Sequence, residues 1–140
     1  MTVYYEIPRS AVPYTVIDVV ERTVRAACDD LDFRYCDRPN IRWFTEEDES
    51  ERALVAAFGE GISRRLTAEG TLEGRCERGE NAVWIRASAS LAELPQTTAH
   101  EVAHLALWRT RGPGVTETER THQEALAEAY GRRYRLEDLL

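Results

Sequence analysis

Residues 99–108 read Ala99-His100-Glu101-Val102-Ala103-His104-Leu105-Ala106-Leu107-Trp108, which is an H-E-x-x-H pattern inside an apolar run. In an α-helix, residues four positions apart share a face, so the two imidazoles would project side by side and could bind one metal ion. Glu101 would lie one step round the helix, close to that ion without having to ligate it. Two neutral nitrogen ligands and a nearby carboxylate base are what a zinc hydrolase requires.

The alternative interpretation of this run is a core helix whose polar side chains are satisfied by backbone groups or carboxylates. The chain has only three histidines, and two of them stand at this spacing around a glutamate. Burying two imidazoles and a carboxylate without partners costs free energy, whereas a metal ion and a substrate cleft supply partners. The pattern therefore favours a metal site.

A second helix is predicted downstream, and it carries candidates for a third ligand. Gly112-Pro113-Gly114 should end the first helix, and Thr116 with Glu119 forms a capping box that should begin the next. Glu124 and Glu128 follow at i, i+4, so they share a face. The short connection can return this helix to the histidine pair. Three small residues would let it approach closely: Ala125, Ala127 and Ala129.

With Glu124 twenty positions after His104 and Glu128 one turn later, the chain resembles the gluzincin metallopeptidases. The layout of residues 71–134 is similar to that of small intracellular zincins, namely ImmA/IrrE-type peptidases and single-domain minigluzincins. The resemblance implies one Zn²⁺ per chain, with Glu124 as the third ligand. It also implies that Glu128 holds a ring nitrogen of one ligating histidine.

The same resemblance assigns a role to the segment before the histidine helix, Asn81-Ala82-Val83-Trp84-Ile85-Arg86-Ala87-Ser88. In such enzymes a strand at this place forms the rim of the cleft and pairs with the substrate backbone. The implied substrate-binding residues are Ala82, Val83, Trp84 and Ile85. We therefore expect this strand at a sheet edge, where an extended peptide could add to it.

Other residues compete for two of these roles. His122 is the rival third ligand, because imidazole binds zinc well and this is the only other histidine. It lies two positions from Glu124, so the two side chains point about 200° apart on a helix and cannot both face the metal. Glu128 is a further alternative. The candidates for stabilising a developing oxyanion are Tyr130, Tyr134 and His122.

Composition limits the class of protein. The chain has 140 residues, and its 43% hydrophobic content suits one ordinary core. A net charge of −7 argues against nucleic acid or an anionic membrane as the main partner. The three cysteines lack zinc-finger spacing, and we find neither a signal peptide nor a membrane span. We therefore expect a cytoplasmic protein in a reducing setting.

The pattern along the chain predicts one α+β domain over residues 1–140, and the resemblance implies that this domain is zincin-like. Apolar residues at helical spacing predict a helix over residues 12–30. Residues 41–44 read as a short strand, and residues 47–66 as a second helical region. Residues 71–78 and 82–87 should form a β-hairpin ahead of the two site helices.

Together these features predict a zinc metallopeptidase that hydrolyses a peptide or protein substrate. His100, His104 and Glu124 would bind the metal, and Glu101 would be the general base. One alternative is a metal-dependent hydrolase of a non-peptide substrate, which would need a closed pocket. The other is a non-catalytic or latent zincin-fold binding module, whose fourth metal position would be filled by a protein group.

Overall fold

The structure, a computed structural model, describes residues 2–46, 65–68 and 72–140 and confirms the predicted α+β class. Its strands and α-helices follow in the order β1 (Thr2–Ile7), α1 (Tyr14–Asp30), β2 (Asn40–Glu46), β3 (Arg65–Ala68), β4 (Gly74–Glu77), β5 (Ala82–Arg86), α2 (Leu94–Arg111), α3 (Glu117–Gly131) and α4 (Leu136–Leu139). Single 3₁₀ turns at Arg9–Ala11 and Tyr35–Asp37 follow β1 and α1.

Most predicted elements are present. The first predicted helix is α1, the short strand lies within β2, and the hairpin is β4 with β5. Residues 47–64 of the second predicted helix lie outside the described residues, and its last two residues belong to β3 instead. Strand β1 was not predicted, although Val3-Tyr4-Tyr5 is β-branched and aromatic, as strands often are.

The strands form a sheet of order β3-β1-β2-β5-β4. Strand β5 pairs in parallel with β2 and antiparallel with β4, so it lies inside the sheet. The prediction that Ala82, Val83, Trp84 and Ile85 form an edge strand for substrate is therefore wrong. Their side chains are at most 1% exposed, and an almost continuous apolar run is typical of a strand buried on both faces.

The edge beside the helices is β4 instead. Its sequence, Gly-Arg-Cys-Glu, is short and largely polar, as is usual for an edge strand. The backbone N–H of Arg86 donates to the carbonyl of Glu73 at 3.0 Å, which marks that pair as hydrogen-bonded. Antiparallel pairs alternate, so Gly74 and Cys76 occupy the non-hydrogen-bonded positions. Their backbone N–H and C=O groups thus point away from β5.

Helices α1 and α2 cover one face of the sheet. The main core cluster there includes Val16, Ile17, Val20 and Val24 of α1, Leu94, Val102 and Leu105 of α2, and Trp43, Val83 and Ile85 of the sheet. On the other face Tyr4, Phe44, Ala82 and Trp84 form a second buried cluster. Because α2 is anchored to the sheet through this core, its other side is left to face α3.

The crossing of α3 over α2 depends on a glycine. A Cβ atom at Gly131 would lie 2.8 Å from the carbonyl oxygen of Gln96 and 3.2 Å from Cβ of His100. Of the three alanines expected to permit this approach, only Ala127 is buried; Ala125 and Ala129 are exposed. Ala127 and Gly131 are one turn apart, so they form the contact stripe of α3.

Across the described ranges, no helix combines the length and the apolar character needed to cross a bilayer.

Replacing Gly131 by alanine should force the two helices apart, because the added methyl meets backbone of α2 that cannot move out of its way. We expect Gly131→Ala to lower the free energy of unfolding by about 1–3 kcal/mol, the usual cost of overpacking. The control is Gly79→Ala, whose added methyl meets nothing within 4 Å. Chemical denaturation measures both, and equal stability of the two variants would contradict this packing.

Candidate metal centre

The two histidines of the H-E-x-x-H pattern lie side by side on α2. This helix has Pro95 in its first turn and ends at Arg111, and the cap residue Gly112 that follows has a φ of 74°, which glycine readily adopts. The Nε2 atoms of His100 and His104 are 3.1 Å apart. The helical spacing therefore brings two potential ligand atoms to one point, as predicted.

The start of α3 is held by the predicted capping box. The hydroxyl of Thr116 accepts a hydrogen bond from the backbone N–H of Glu119 at 3.1 Å. The Glu119 carboxylate in turn accepts from the backbone N–H of Val115 at 2.9 Å, one residue before the cap. The side-chain amide of Gln123 donates to the Gly112 carbonyl at 3.2 Å and so ties α3 to the end of α2.

Glu124 of α3 reaches both histidines. Its Oε1 lies 3.0 Å from Nε2 of His100, and its Oε2 lies 2.7 Å from Nε2 of His104. The potential ligand atoms of these three residues all lie within 4.8 Å of one another. The three side chains predicted to bind the metal are thus brought together, and they could hold a metal ion.

Glu128 lies one turn beyond Glu124 and contacts the other ring nitrogen of His100. Its Oε2 is 3.2 Å from Nδ1 of His100. A carboxylate in this position would favour the tautomer with the proton on Nδ1, in which Nε2 is free to bind a metal. Arg132 approaches the other oxygen of Glu128 at 3.3 Å. Glu128 therefore occupies the place that the resemblance implied, outside the ligand set.

The chemistry of these groups fits a bound cation. Nε2 of His100 lies 3.0 Å from a carboxylate oxygen and 3.1 Å from a second imidazole nitrogen, and a metal ion would let all three atoms act as electron-pair donors. Ligand atoms about 2.0–2.1 Å from a tetrahedral ion lie about 3.3 Å apart, close to the separations found here. Burial lowers the pKa of His104, which favours the neutral imidazole that a metal requires.

His122 takes no part in this group. The metal-ligating group found among residues 2–46, 65–68 and 72–140 consists of His100, His104 and Glu124, and the side chain of His122 is exposed. Two positions along a helix correspond to about 200°, so His122 points away from the face that carries Glu124. Because its side chain points this way, His122 does not line the cleft that opens onto the metal group.

Glu101 is buried next to the ligands. It is 8% exposed, faces the cleft, and receives no hydrogen bond from the described part of the chain. Burial, assisted by the negative charge of Glu124, raises the pKa of Glu101 to about 8. A carboxyl with this pKa can both accept and release a proton near neutral pH.

A cleft of about 550 Å³ opens onto this group. One wall is formed by Leu72, Glu73 and Gly74, at the start of the edge strand β4. A Cβ atom at Gly74 would lie 2.7 Å from Cγ2 of Thr97, so glycine lets the strand run close to α2. Sequence reasoning missed this wall, although a glycine within a strand pattern often marks such a close approach.

The tyrosines considered for oxyanion stabilisation lie elsewhere. The hydroxyl of Tyr130 donates to a carboxylate oxygen of Asp30 at 2.9 Å and lies 2.6 Å from the hydroxyl of Tyr134. Neither ring lines the cleft. Tyr130 is two positions from Glu128, so it projects from the opposite side of α3 towards the end of α1. These tyrosines join helices and do not face the metal group.

All three cysteines are free thiols, and none belongs to the metal-ligating group within the described ranges. Cys76 on β4 is half-buried, and burial raises the pKa of its thiol to about 11, with a smaller contribution from the charge of Glu101. A thiol with this pKa is protonated at neutral pH and is a poor metal ligand. A thiol as the protein group that would fill the fourth metal position therefore has no support here.

Comparisons with protein-family models, with curated proteins and with solved structures give no significant match. The interpretation of the site therefore rests on its own residues and their geometry.

The ligand set predicts a ranking of metal affinities. Glu124→Ala should weaken metal binding sharply, because two histidines alone leave the site incomplete. Glu128→Ala should weaken it by about 10- to 100-fold, as is typical when the partner of a ligating histidine is removed. His122→Ala is the control and should bind metal like the wild type.

Competition titration with zinc measures this series, and a His100→Ala, His104→Ala double variant should bind none. If His122 proved essential and Glu124 dispensable, the assignment of the third ligand would be wrong.

Proposed function

We propose that this protein is a zinc-dependent metallopeptidase of gluzincin type. The observation that carries the proposal is the meeting of His100, His104 and Glu124 beside the buried carboxylate of Glu101. Two imidazoles and one carboxylate suit zinc better than harder cations such as Mg²⁺ or Ca²⁺. Bound there, zinc would lower the pKa of a water molecule and polarise a substrate carbonyl.

Glu101 is the proposed general base. A zinc ion beside it would lower the pKa that burial raises, because a cation favours the carboxylate, and the carboxylate could then take a proton from water and later deliver it to the leaving amine. It receives no hydrogen bond from the described residues, so its oxygens are available to water and substrate. Glu128 acts through His100, whose ring it orients by holding Nδ1–H.

An open position favours catalysis over a purely structural metal. Structural zinc sites are usually closed by four protein ligands, whereas catalytic sites keep one position for water or substrate. The described residues provide three ligands, and the cleft lies beside them. This arrangement supports an enzyme more than the alternative of a non-catalytic binding module.

Strand β4 supports a peptide substrate. It is the last strand of the sheet as described, and its residue Gly74 lines the cleft next to Glu101. The outward backbone groups of Gly74 and Cys76 could pair with an extended peptide, which would then pass the proposed zinc. A non-peptide hydrolase would instead be expected to enclose its substrate in a pocket.

Glu101→Gln tests the proposed base. Glutamine keeps the shape of the side chain but cannot accept the proton, so zinc content should be unchanged while peptide cleavage falls by about 10²–10⁴-fold. Elemental analysis and a fluorogenic peptide library measure the two quantities. Loss of zinc in this variant would make Glu101 a ligand, and undiminished cleavage would remove its role as base.

Cys76→Pro tests substrate pairing on β4. Proline removes the outward N–H of residue 76 and leaves the hydrogen bonds between β4 and β5 in place. Peptide cleavage should fall several-fold or more while zinc stays bound. Cys76→Ala controls for loss of the thiol and should cleave like the wild type. Equal cleavage by the proline and alanine variants would exclude this edge as the substrate platform.

A further inference from the structure

A tryptophan extends the face of α2 that carries Glu101 and His104. Trp108 lies four positions after His104 and eleven after Thr97, so it shares their side of the helix. Thr97 and Glu101 line the cleft, whereas Trp108 lies past the metal group, one turn beyond His104. Trp108 is 37% exposed, so it offers an aromatic surface to a molecule that extends past the metal group.

Strand β4 runs beside this face of α2. At the start of the strand, a Cβ atom at Gly74 would lie 2.7 Å from Thr97 and 3.3 Å from Glu101. Just after the end of the strand, the guanidinium of Arg78 lies over the Trp108 ring, with its Cζ atom 5.8 Å from the ring centroid. Strand and helix therefore run in the same direction. An extended peptide that pairs with β4 would pass the metal group and reach Arg78 and Trp108.

The exposed guanidinium of Arg78 has no anionic partner among the described residues. The two carboxylates nearest to it in the sequence are engaged elsewhere. Oε2 of Glu77 accepts a hydrogen bond from the indole N–H of Trp84 at 2.8 Å, and Glu80 contacts Arg42. A guanidinium that stacks on an aromatic ring keeps its in-plane N–H donors available, and these match the two oxygens of a carboxylate. Arg78 is therefore placed to bind an anion that enters from solvent.

The charges of the metal centre leave the charge of Arg78 uncancelled. With zinc bound, the carboxylates of Glu101 and Glu124 would together offset the two positive charges of the ion. Glu128 is already paired with Arg132, whose guanidinium lies 3.3 Å from its Oε1. A loaded centre of little net charge would neither neutralise Arg78 nor repel a carboxylate bound to it.

We infer that Arg78 and Trp108 form a subsite that binds a carboxylate of a peptide lying along β4. The guanidinium of Arg78 pairs with the carboxylate and determines the specificity, and the Trp108 ring positions that guanidinium. The carboxylate has two sources in a peptide: an aspartate or glutamate side chain, or a free carboxyl terminus. That the bound peptide is a substrate rests on the proposed function, whereas binding of the carboxylate does not.

Binding by the zinc-loaded Glu101→Gln protein tests this inference without turnover. The probes are peptides of one length, labelled at the amino end, in pairs with glutamate or glutamine at each position in turn, or with a free or an amidated carboxyl terminus. Fluorescence anisotropy gives the dissociation constants. At low salt the acidic peptide of one pair should bind about 2- to 5-fold more tightly, and added salt should reduce the difference. Acids at the other end of the peptide should not help, because Glu73 and Glu93 line the opposite end of the cleft.

Arg78→Gln, added to the same background, should abolish this preference for the acidic peptide. The matched control is Arg25→Gln, which removes the same charge from an exposed position on α1 that does not line the cleft. Trp108→Leu should reduce the preference by about 2-fold, because the guanidinium loses its aromatic support. Trp108→Phe keeps an aromatic ring under Arg78 and should restore most of the preference.

A preference that survives Arg78→Gln would show that the zinc ion binds the carboxylate, and it would overturn the inference. Equal binding within every pair, no measurable binding of any acidic peptide, or an equal loss of preference in Arg25→Gln would overturn it as well. A preference that depends on Arg78 supports it, and the pair that shows the preference identifies a side chain or a carboxyl terminus as the ligand. Failure of the proposed function has a different signature, because the wild type would then show the same Arg78-dependent preference and cleave none of these peptides.

Discussion

The close contact between α2 and α3 is the constraint on which the site depends. Gly131 lets the backbones of α2 and α3 approach closely. Glu128 and Glu124, which lie one and two turns before Gly131 on α3, can therefore reach the histidines of α2. The contact brings together two imidazoles and two carboxylates, whose electron-rich atoms can hold a proton or a metal ion between them. The packing of two helices therefore creates a site that a metal ion would stabilise, and metal binding should in turn stabilise the helix pair.

The site is carried by a well-packed scaffold. Buried residues of α1, α2 and the sheet hold α2 in place, so the histidines project from a rigid helix rather than from a loop. The capping box at Thr116 and the hydrogen bond from Gln123 to Gly112 fix the direction in which α3 returns. Glu101 stays buried on the sheet side of the same helix, and this burial is what raises its pKa.

The prediction of a substrate-binding strand at residues 82–85 was wrong because the pairing of a strand depends on residues that are distant in the sequence. Residues 82–85 were assigned to a sheet edge from a resemblance, yet their unbroken apolar sequence is that of an interior strand. The partner on their second side, β2, lies some forty residues earlier, so the parallel pairing cannot be read from the hairpin. The polar strand β4 is the edge of the described sheet because β5 lies between it and β2. Which backbone groups can pair with a further strand depends on the position of a strand in the sheet and not on its position along the chain.

The sequence by itself determined the elements whose signals are local. Helical spacing placed His100 and His104 on one face, and the cap at Thr116 began the next helix at the right residue. The spacing of Glu124 and Glu128 placed both acids on one face of that helix. Tertiary structure alone decided that Glu124 rather than His122 meets the histidines, since the angle between two helices is set by the residues at their contact. It also decided that Arg78 lies over Trp108, because these residues come from separate segments whose proximity depends on how sheet and helices pack.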